Sequence, residues 1–260
     1  MSEQSIKVKD EIVNVQNGVL NLERMQIHDF CDLHGLDEID VKKVVLNDNF
    51  LSSISNLSCL VQIEELSLFS NKLQDMHGIE ALINLRKLTL SRNKIVDITG
   101  LENIENLTEL YLDDNAISEI RGLETLGQLR VLWLGDNRIR EIKGLENLAS
   151  LEELYLGYNA ISKIEGLDTL ENLRELVLFY NNIETVEGLD NLKCLESLNL
   201  NFNSIHRVSG FGNLRGLKTL ALGKNPLPDE ERKRCGGFDK EGLALDTAKV
   251  ALACRKEIVK

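Results

Sequence analysis

Three residues near the start of the sequence have the types and the spacing of metal ligands. His28, Cys31 and His34 follow one another at intervals of three residues, so a helix would present two imidazoles and a thiol on one side. Structural zinc normally takes four protein ligands, and no fourth candidate lies close by in the sequence. We therefore interpret the three as ordinary residues of a terminal segment and predict neither a metal site nor a cofactor.

Catalysis is not indicated by any other motif. The sequence lacks the glycine-rich phosphate loop, the G-x-S-x-G serine motif, the H-E-x-x-H zinc motif and paired C-x-x-C motifs. Carboxylates are abundant, but Glu102, Glu124 and Glu146 recur at a fixed interval, which is typical of a solvated face. We predict that the chain is not an enzyme, with an enzyme that uses surface carboxylates as the remote alternative.

Aromatic residues form the third group with a regular spacing. Tyr111, Trp133 and Tyr155 are equally spaced in the sequence, at the same interval as those glutamates. Large, rigid rings that lie side by side are typical of a surface that recognises another protein. Such an arrangement requires a structural element that repeats at this interval.

The whole central sequence has this period. With Leu85 as position 1, aliphatic residues recur at positions 1, 4, 6, 11, 14, 17 and 20, and a glycine precedes position 17 in most repeats. The register holds from residue 41 to residue 216 as eight complete repeats, and a half repeat follows from Leu217. Position 9 is asparagine in all nine repeats, and we predict a structural ladder of buried amides formed by Asn49, Asn71, Asn93, Asn115, Asn137, Asn159, Asn181, Asn203 and Asn225.

The pattern L-x-x-L-x-L-x-x-N, with segments such as Gly100-Leu101-Glu102, resembles the 22-residue class of the leucine-rich-repeat family over about four fifths of the chain. The resemblance implies an α/β repeat solenoid, a right-handed superhelix with a concave parallel sheet and a convex side of short helical or irregular turns. Positions 3 to 5 of each repeat would form one strand. Each repeat is too small to fold alone, so stability would come from the stack.

In such a solenoid the inner face carries positions 2, 3, 5, 7 and 8 of each repeat. Every tyrosine and the sole tryptophan occupy these positions, although the aliphatic core does not need them. We predict that Gly135 and Gly157 leave room for a partner beside the rings. The alternative is that the aromatic rings merely cover the sheet. The candidate partner-binding residues are Phe69, Glu109, Tyr111, Asp113, Asp114, Trp133, Asp136, Glu153, Tyr155, Tyr158, Glu175, Phe179, Tyr180 and Phe202.

Both ends of the array differ from the repeat. Residues 1–40 are predicted to form an N-terminal cap with a degenerate first repeat that is shifted by two residues, with Met25 in place of the asparagine. The array itself covers residues 41–227, and Pro226 and Pro228 end it. Residues 228–260 are predicted to be a C-terminal cap in which residues 239–260 form a helix, with an apolar stripe that includes Leu245, Ala248, Leu252 and Val259. A helix that covers the last turn is favoured over an exposed partner-binding helix.

The formal charge of -12 disfavours direct contact with nucleic acid and with anionic membranes. Five scattered cysteines and the lack of a long apolar segment predict a cytoplasmic or nuclear protein, which we expect to be a monomer when free. The partner is expected to be another protein with a basic region and apolar anchors.

The Gly-Leu-Glu segments and the terminal Asn225-Pro226-Leu227 resemble those of the leucine-rich regulatory subunits of protein phosphatase 1. This resemblance implies a phosphatase catalytic subunit as the partner, bound at the mid-strand position of the inner face. In that family this position carries both acidic and aromatic residues. In this sequence it is aromatic at Tyr111, Trp133 and Tyr155, and no repeat has an acidic residue there. An adaptor subunit of another assembly, such as a dynein or a ribonucleoprotein complex, is the alternative.

Overall fold

The computed structural model of the chain describes residues 4–8, 11–54, 57–239, 243–244 and 247–258. Its main feature is a ten-stranded sheet in which every strand has three residues, and a three-stranded sheet lies at the N-terminal end. The strands are Ser5–Val8 (β1), Glu11–Asn14 (β2), Val19–Asn21 (β3), Leu33–His34 (β4), Lys43–Val45 (β5), Glu65–Ser67 (β6), Lys87–Thr89 (β7), Glu109–Tyr111 (β8), Val131–Trp133 (β9), Glu153–Tyr155 (β10), Glu175–Val177 (β11), Ser197–Asn199 (β12) and Thr219–Ala221 (β13).

The large sheet is parallel and its strands follow chain order, from β3 through β5 to β13. Neighbouring strands from β5 onward pair at a constant offset of one repeat, as Leu110 with Leu132 and Leu132 with Leu154. Each strand covers positions 3 to 5 of its repeat. The predicted solenoid and its concave parallel sheet are therefore confirmed.

The return path of each repeat crosses the convex side as turns, with few helices. Short 3-10 helices occur at Leu57–Leu60 and at Ile79–Ala81. The glycine before position 17 has a positive φ, 77° at Gly144, and a Cβ there would collide with the Ile120 carbonyl oxygen of the preceding turn. Glycine thus allows adjacent turns to approach closely at this corner.

The interior is aliphatic and closed to solvent. Each buried side chain contributes roughly 1.5 to 3 kcal/mol, and the turns above and below are needed to cover it. Of the aromatic residues, Phe30 and Phe211 are buried in this core. In the repeat that begins at residue 107, the seven aliphatic positions are at most 1% exposed: Leu107, Leu110, Leu112, Ile117, Ile120, Leu123 and Leu126.

The position 9 asparagines join each turn to the one before it. Asn137 Oδ1 accepts a hydrogen bond from the Ile117 N–H at 3.0 Å, and its Nδ2 donates to the carbonyl oxygens of Leu112 at 3.0 Å and Leu134 at 3.1 Å. The same three contacts recur from Asn49 to Asn225. One side chain thus satisfies three backbone groups that no strand or helix would pair.

The N-terminal segment contains a hairpin that the repeat pattern did not predict. Strand β1 pairs antiparallel with β2 and with β4. Strand β3 joins the parallel sheet by pairing with β5, where Leu20 lies opposite Val44. The offset between these two strands exceeds one repeat by two residues, which is the expected shift.

The three possible metal ligands near this end do not share a helix. Cys31 lies in the 3-10 helix Phe30–Asp32, His34 lies in β4, and His28 stacks on Phe50 with ring centroids 5.0 Å apart. Across the part of the chain that the structure describes, no three His, Cys, Asp or Glu side chains are grouped to hold a metal ion.

The C-terminal segment contains two helices, Asp229–Arg234 (α1) and Thr247–Ile258 (α2). The prediction of a helix over residues 239–260 is wrong at its start, because Leu243 forms an antiparallel bridge with Ala221 of β13. The expected stripe is wrong at Ala248, which is exposed, whereas the helix buries Val250, Ala251 and Cys254. Leu245, Val259 and the side chain of Leu252 lie outside the described residues.

Helix α2 lies against the last turns of the array. The Thr247 hydroxyl donates to the Leu217 carbonyl oxygen at 2.9 Å, and the Cys254 thiol donates to that of Val208 at 3.5 Å. In the described residues this is the longest helix, with 12 residues, and none is long and apolar enough to cross a bilayer.

The asparagine contacts predict a large loss of stability on substitution. Asn181 is buried and bonds the Ile161 N–H and the carbonyl oxygens of Leu156 and Leu178. Asn181→Leu should lower the free energy of unfolding by about 1 to 3 kcal/mol, because it leaves the buried Ile161 N–H unpaired. The two carbonyl oxygens keep the amide donors of Asn159 and Asn203. Chemical denaturation measures the change.

The control is Asn147→Leu. Asn147 also bonds a backbone carbonyl, that of Glu124 at 2.9 Å, but it is exposed and water can replace it. This variant should change stability by less than about 0.5 kcal/mol. Equal losses in the two variants would contradict the structural role assigned to the buried amides.

Candidate functional site

Tyr111, Trp133 and Tyr155 lie side by side on the concave sheet, and we call them the aromatic ladder. They are paired residues of β8, β9 and β10. The ring centroids of Tyr111 and Trp133 are 5.1 Å apart, edge to face, and those of Trp133 and Tyr155 are 4.5 Å apart. All three face outward, because side chains alternate along a strand and the residue before each ring points into the core. Each ring is half-buried.

A carboxylate of its own strand fixes Tyr111, and one of the next strand fixes Tyr155. The Tyr111 hydroxyl donates to Glu109 at 2.8 Å, and the Tyr155 hydroxyl donates to Glu175 at 2.7 Å. Burial, followed by these hydrogen bonds and nearby carboxylates, raises the pKa of Tyr111 and of Tyr155 above the usual range. Both phenols therefore stay neutral donors at physiological pH, and their rings are held in place.

The indole of Trp133 is held by contact alone. Its buried Nε1–H has no hydrogen-bond partner among the described residues. A buried donor left unpaired costs about 1 to 3 kcal/mol, and the aliphatic core has no use for this ring. The ring contacts with Tyr111 and Tyr155 must offset the cost of this unpaired N–H.

One side of the ladder is acidic. Glu153 lies directly beside Glu175 on the next strand, and like charges opposite one another in a sheet repel. Burial, and then the charges of Glu175, Glu152 and Glu109, raise the pKa of Glu153. By contrast, Lys87 bonds Glu109 at 2.5 Å. Burial raises the pKa of Glu109, but hydrogen bonds from Lys87 and Tyr111 outweigh burial, so the net effect is a lowered pKa.

The other side of the ladder borders a groove with a volume of about 740 Å³. Its floor is formed by position 7 of four repeats, Ser91, Asp113, Gly135 and Gly157. The ladder forms one wall, position 8 forms the other, and Phe69 and Phe179 lie at the two ends. The complete lining is Phe69, Lys87, Thr89, Ser91, Arg92, Tyr111, Asp113, Asp114, Trp133, Gly135, Asp136, Tyr155, Gly157, Tyr158 and Phe179.

Asp113 on the groove floor is partly used by the fold. Its carboxylate accepts hydrogen bonds from the Gly135 N–H at 3.0 Å and from the Ser91 hydroxyl at 3.2 Å. Burial nevertheless raises the pKa of Asp113, against the effect of these hydrogen bonds. Since a Cβ on Gly135 would lie 3.1 Å from Oδ1 of Asp113, this glycine makes room for the carboxylate.

Gly157 makes room for Phe179 in the same way. A Cβ on Gly157 would lie 2.6 Å from Cδ1 of Phe179, so the ring occupies the space above the glycine. At Gly157 the Phe179 ring thus takes space that was predicted for a partner, while Gly135 and Gly157 both line the groove.

A second aromatic group borders the groove at position 8, and we call Tyr158, Tyr180 and Phe202 the rim stack. Tyr180 stacks on Tyr158 at 4.5 Å and on Phe202 at 4.0 Å, while Phe179 meets Tyr158 edge to face at 4.9 Å. The three are 49%, 39% and 37% exposed. Their φ angles of 53°, 52° and 56° lie in the left-handed region, where bulky side chains are uncommon.

The structure brings the sequence-predicted residues together on one face. The ladder, Asp113, Asp114, Asp136, Tyr158 and Phe179 line the groove, and Phe69 lies at its far end. Glu109, Glu153 and Glu175 lie beside the ladder on β8, β10 and β11, and Tyr180 and Phe202 extend the rim stack beyond Tyr158. Sequence reasoning missed Lys87, Thr89, Ser91 and Arg92 as lining residues. They occupy the same repeat positions as predicted residues, one turn earlier, so the period itself could have identified them.

Comparisons with known proteins agree with this architecture. Residues 83–125 and 127–169 match the family described as Leucine Rich repeats (2 copies). Internalin C2 from Listeria monocytogenes is 32% identical with a TM-score of 0.63, over 68% of this chain and 78% of that chain. The internalin InlF of the same organism is 28% identical with a TM-score of 0.60, over 78% and 67%.

A chain of the TLR13–ssRNA13 complex is 29% identical with a TM-score of 0.67, and the match covers 76% of this chain but 31% of that one. This chain therefore spans about a third of that protein. No curated protein matches the sequence significantly.

The contact between Gly157 and Phe179 can be tested by adding one methyl group. Gly157→Ala should displace the Phe179 ring and lower stability by about 1 to 3 kcal/mol. In a Phe179→Leu background the same substitution should cost less, and thermal denaturation of the four proteins measures the coupling. Equal costs in the two backgrounds would contradict the contact.

The raised pKa of Asp113 predicts that replacing this residue with asparagine stabilises the protein. Because its pKa is raised in the folded state, ionisation of Asp113 lowers stability as pH rises from the ordinary pKa of Asp to the raised one. Asp113→Asn should therefore be more stable than the natural protein at pH 7. The advantage should shrink in acid, where Asp113 is also neutral.

Denaturation between pH 3 and pH 8 measures this difference, and Asp136→Asn serves as the control. Asp136 is exposed, and asparagine tolerates its positive φ of 50°. The control should show a difference below about 0.5 kcal/mol across the range. A less stable Asp113→Asn protein at pH 7 would contradict the account.

Proposed function

Because this chain belongs to the leucine-rich-repeat proteins, we propose that it is a non-catalytic scaffold that binds another protein with the centre of its concave face. One observation carries the proposal. A core that is already closed by aliphatic side chains leaves two groups of stacked aromatic rings outside it on one face, the ladder and the rim stack.

The energetics of binding favour this surface. A binding site gains most from large rings that are already held in their bound positions, because little side-chain entropy is then lost. Ring stacking and the hydroxyl bonds of Tyr111 and Tyr155 hold the ladder in this way. The partner would cover the rings, and the surrounding charges would exclude mismatched surfaces.

The rim stack supports the same conclusion through its backbone. Position 8 has a positive φ in every repeat from Asp48 to Lys224, and Asn, Asp or Gly would adopt it most readily. Three successive repeats carry Tyr or Phe instead and expose them to solvent. Such residues lower solubility and stability, so binding is the reason that we assign to them.

The partner that we propose is a protein. One similar structure is a complex with ssRNA13, but here Glu153, Glu175 and Asp136 surround the aromatic surface, and phosphates would be repelled. A phosphatase catalytic subunit is the first candidate, on the sequence resemblance described above and on the three aromatic residues at the mid-strand position. We place the encounter in the cytoplasm or the nucleus.

The proposal is tested by replacing the ladder. Trp133→Ala, Tyr155→Ala should retain the fold, because both rings lie outside the core, and should lose most of its binding, since central aromatic anchors each contribute about 2 kcal/mol or more. The natural protein and the double variant are used as bait in cell lysate. Captured proteins are then quantified by mass spectrometry, with blotting for phosphatase catalytic subunits.

The matched control is Val61→Ala, Ile83→Ala. These residues are 43% and 50% exposed and lie outside the strands, so the control removes apolar surface elsewhere. It should recover the same partners as the natural protein. Equal recovery by the ladder variant and the natural protein would rule out the concave face as the binding site.

A further inference from the structure

We propose that the groove binds the guanidinium group of an arginine in an extended segment of the partner. The inference deepens the proposed function and rests on it, since it names the chemistry that the concave face selects. It is carried by the charges that line the groove, by its rings and by the cations that this chain itself places at one end.

The groove has more negative than positive charge. Its carboxylates are Asp113, Asp114 and Asp136, and its cations are Lys87 and Arg92. Both cations are engaged, because Lys87 pairs with Glu109 at 2.5 Å and Arg92 pairs with Asp114 at 3.6 Å. Within the described residues, Asp113 and Asp136 have no ion-pair partner. A bound cation would compensate these two carboxylates.

The rings at one end of the groove already contact cations. The Arg92 guanidinium lies over the Phe69 ring at 5.3 Å, and the Lys87 ammonium lies over the Tyr111 ring at 5.0 Å. Cations are attracted to the faces of aromatic rings. These two contacts show that the groove accommodates a basic side chain between a ring and a carboxylate.

The other end of the groove also has aromatic rings and carboxylates but contains no basic residue. Trp133, Tyr155 and Tyr158 line it together with Asp113 and Asp136, and the described part of the chain places no cation over these three rings. Arg92 and Asp136 occupy the same repeat position, two turns apart. At Asp136 the partner would therefore supply the basic side chain that the chain itself supplies at Arg92.

The acidic side of the ladder strengthens the attraction. Glu153 faces Glu175, and neither of the two carboxylates has an ion-pair partner in the regions that the structure describes. A segment that crosses the ladder would bring its positive charge close to both. The adjacent like charges would then be stabilised by binding rather than within the free protein.

Arginine fits the groove better than lysine does. A guanidinium is planar, so it stacks on a ring while its N–H groups bond carboxylates in the same plane. The carboxylates of Asp113 and Asp136 line the same groove as the ladder rings. A trimethylated lysine would contact the rings but could donate no hydrogen bond to either carboxylate.

The test uses four blocked tripeptides, acetyl-Gly-X-Gly-amide, in which X is arginine, citrulline, lysine or trimethyl-lysine. Citrulline has the shape of arginine without its charge. Binding is followed by nuclear magnetic resonance at the indole N–H of Trp133 and the amides of Gly135 and Gly157. The arginine peptide should shift these signals and bind at least about fivefold more tightly than the citrulline peptide, as expected for one charge-assisted contact.

Asp136→Asn should weaken the arginine peptide about threefold to tenfold and leave the citrulline peptide unchanged. Glu119→Gln is the control, since it removes the same charge from an exposed position outside the strands, and it should bind like the natural protein. Equal binding of arginine and citrulline, tighter binding of trimethyl-lysine, or no shift at about 20 mM peptide would each overturn the inference.

The same variants separate this inference from the proposed function. If Trp133→Ala, Tyr155→Ala loses the partner while Asp136→Asn retains it with unchanged affinity, the scaffold proposal stands and the arginine assignment is wrong. If the ladder variant keeps the partner, the proposed function itself has failed, whatever the peptides show.

Discussion

The structure depends on a single side-chain contact that is made once in every turn. An asparagine at position 9 leaves the strand, accepts one backbone N–H of the preceding turn and donates to one carbonyl oxygen of that turn and one of its own. Because the contact joins neighbouring turns, it sets their spacing and keeps short strands of three residues in register. An isolated turn could not satisfy these groups, and so the stack is the stable unit.

This arrangement separates stability from recognition. The asparagines and the aliphatic positions hold the stack together, and the inner-face positions between them are free to vary. Residues of one type at the same inner position of successive repeats form a column, in which neighbouring residues are about 4.8 Å apart. Tyr111, Trp133 and Tyr155 form such a column, and all three rings lie outside the aliphatic core.

Much of this could be predicted from the sequence because the period fixes which residues become neighbours. The strands at positions 3 to 5, the asparagine contacts and the ladder all follow from counting in steps of one repeat. The period contains no information on how a long side chain bends. It therefore could not predict that Phe179 lies over Gly157 or that the half-buried Asp113 carboxylate lies beside Gly135. The predictions for the two terminal segments failed for another reason. The β1–β2 hairpin and the buried face of α2, which includes Cys254, depend on contacts with the ends of the array.

The central claim is that a partner covers the aromatic ladder, and Trp133 can report on it because it is the only tryptophan in the chain. The most direct measurement is acrylamide quenching of its fluorescence, with and without the protein that the natural chain captures. The account predicts that the bound partner shields the indole and lowers the quenching constant by at least about twofold, as expected for a ring at the centre of an interface. A quenching constant that stays the same when the partner is bound would contradict it.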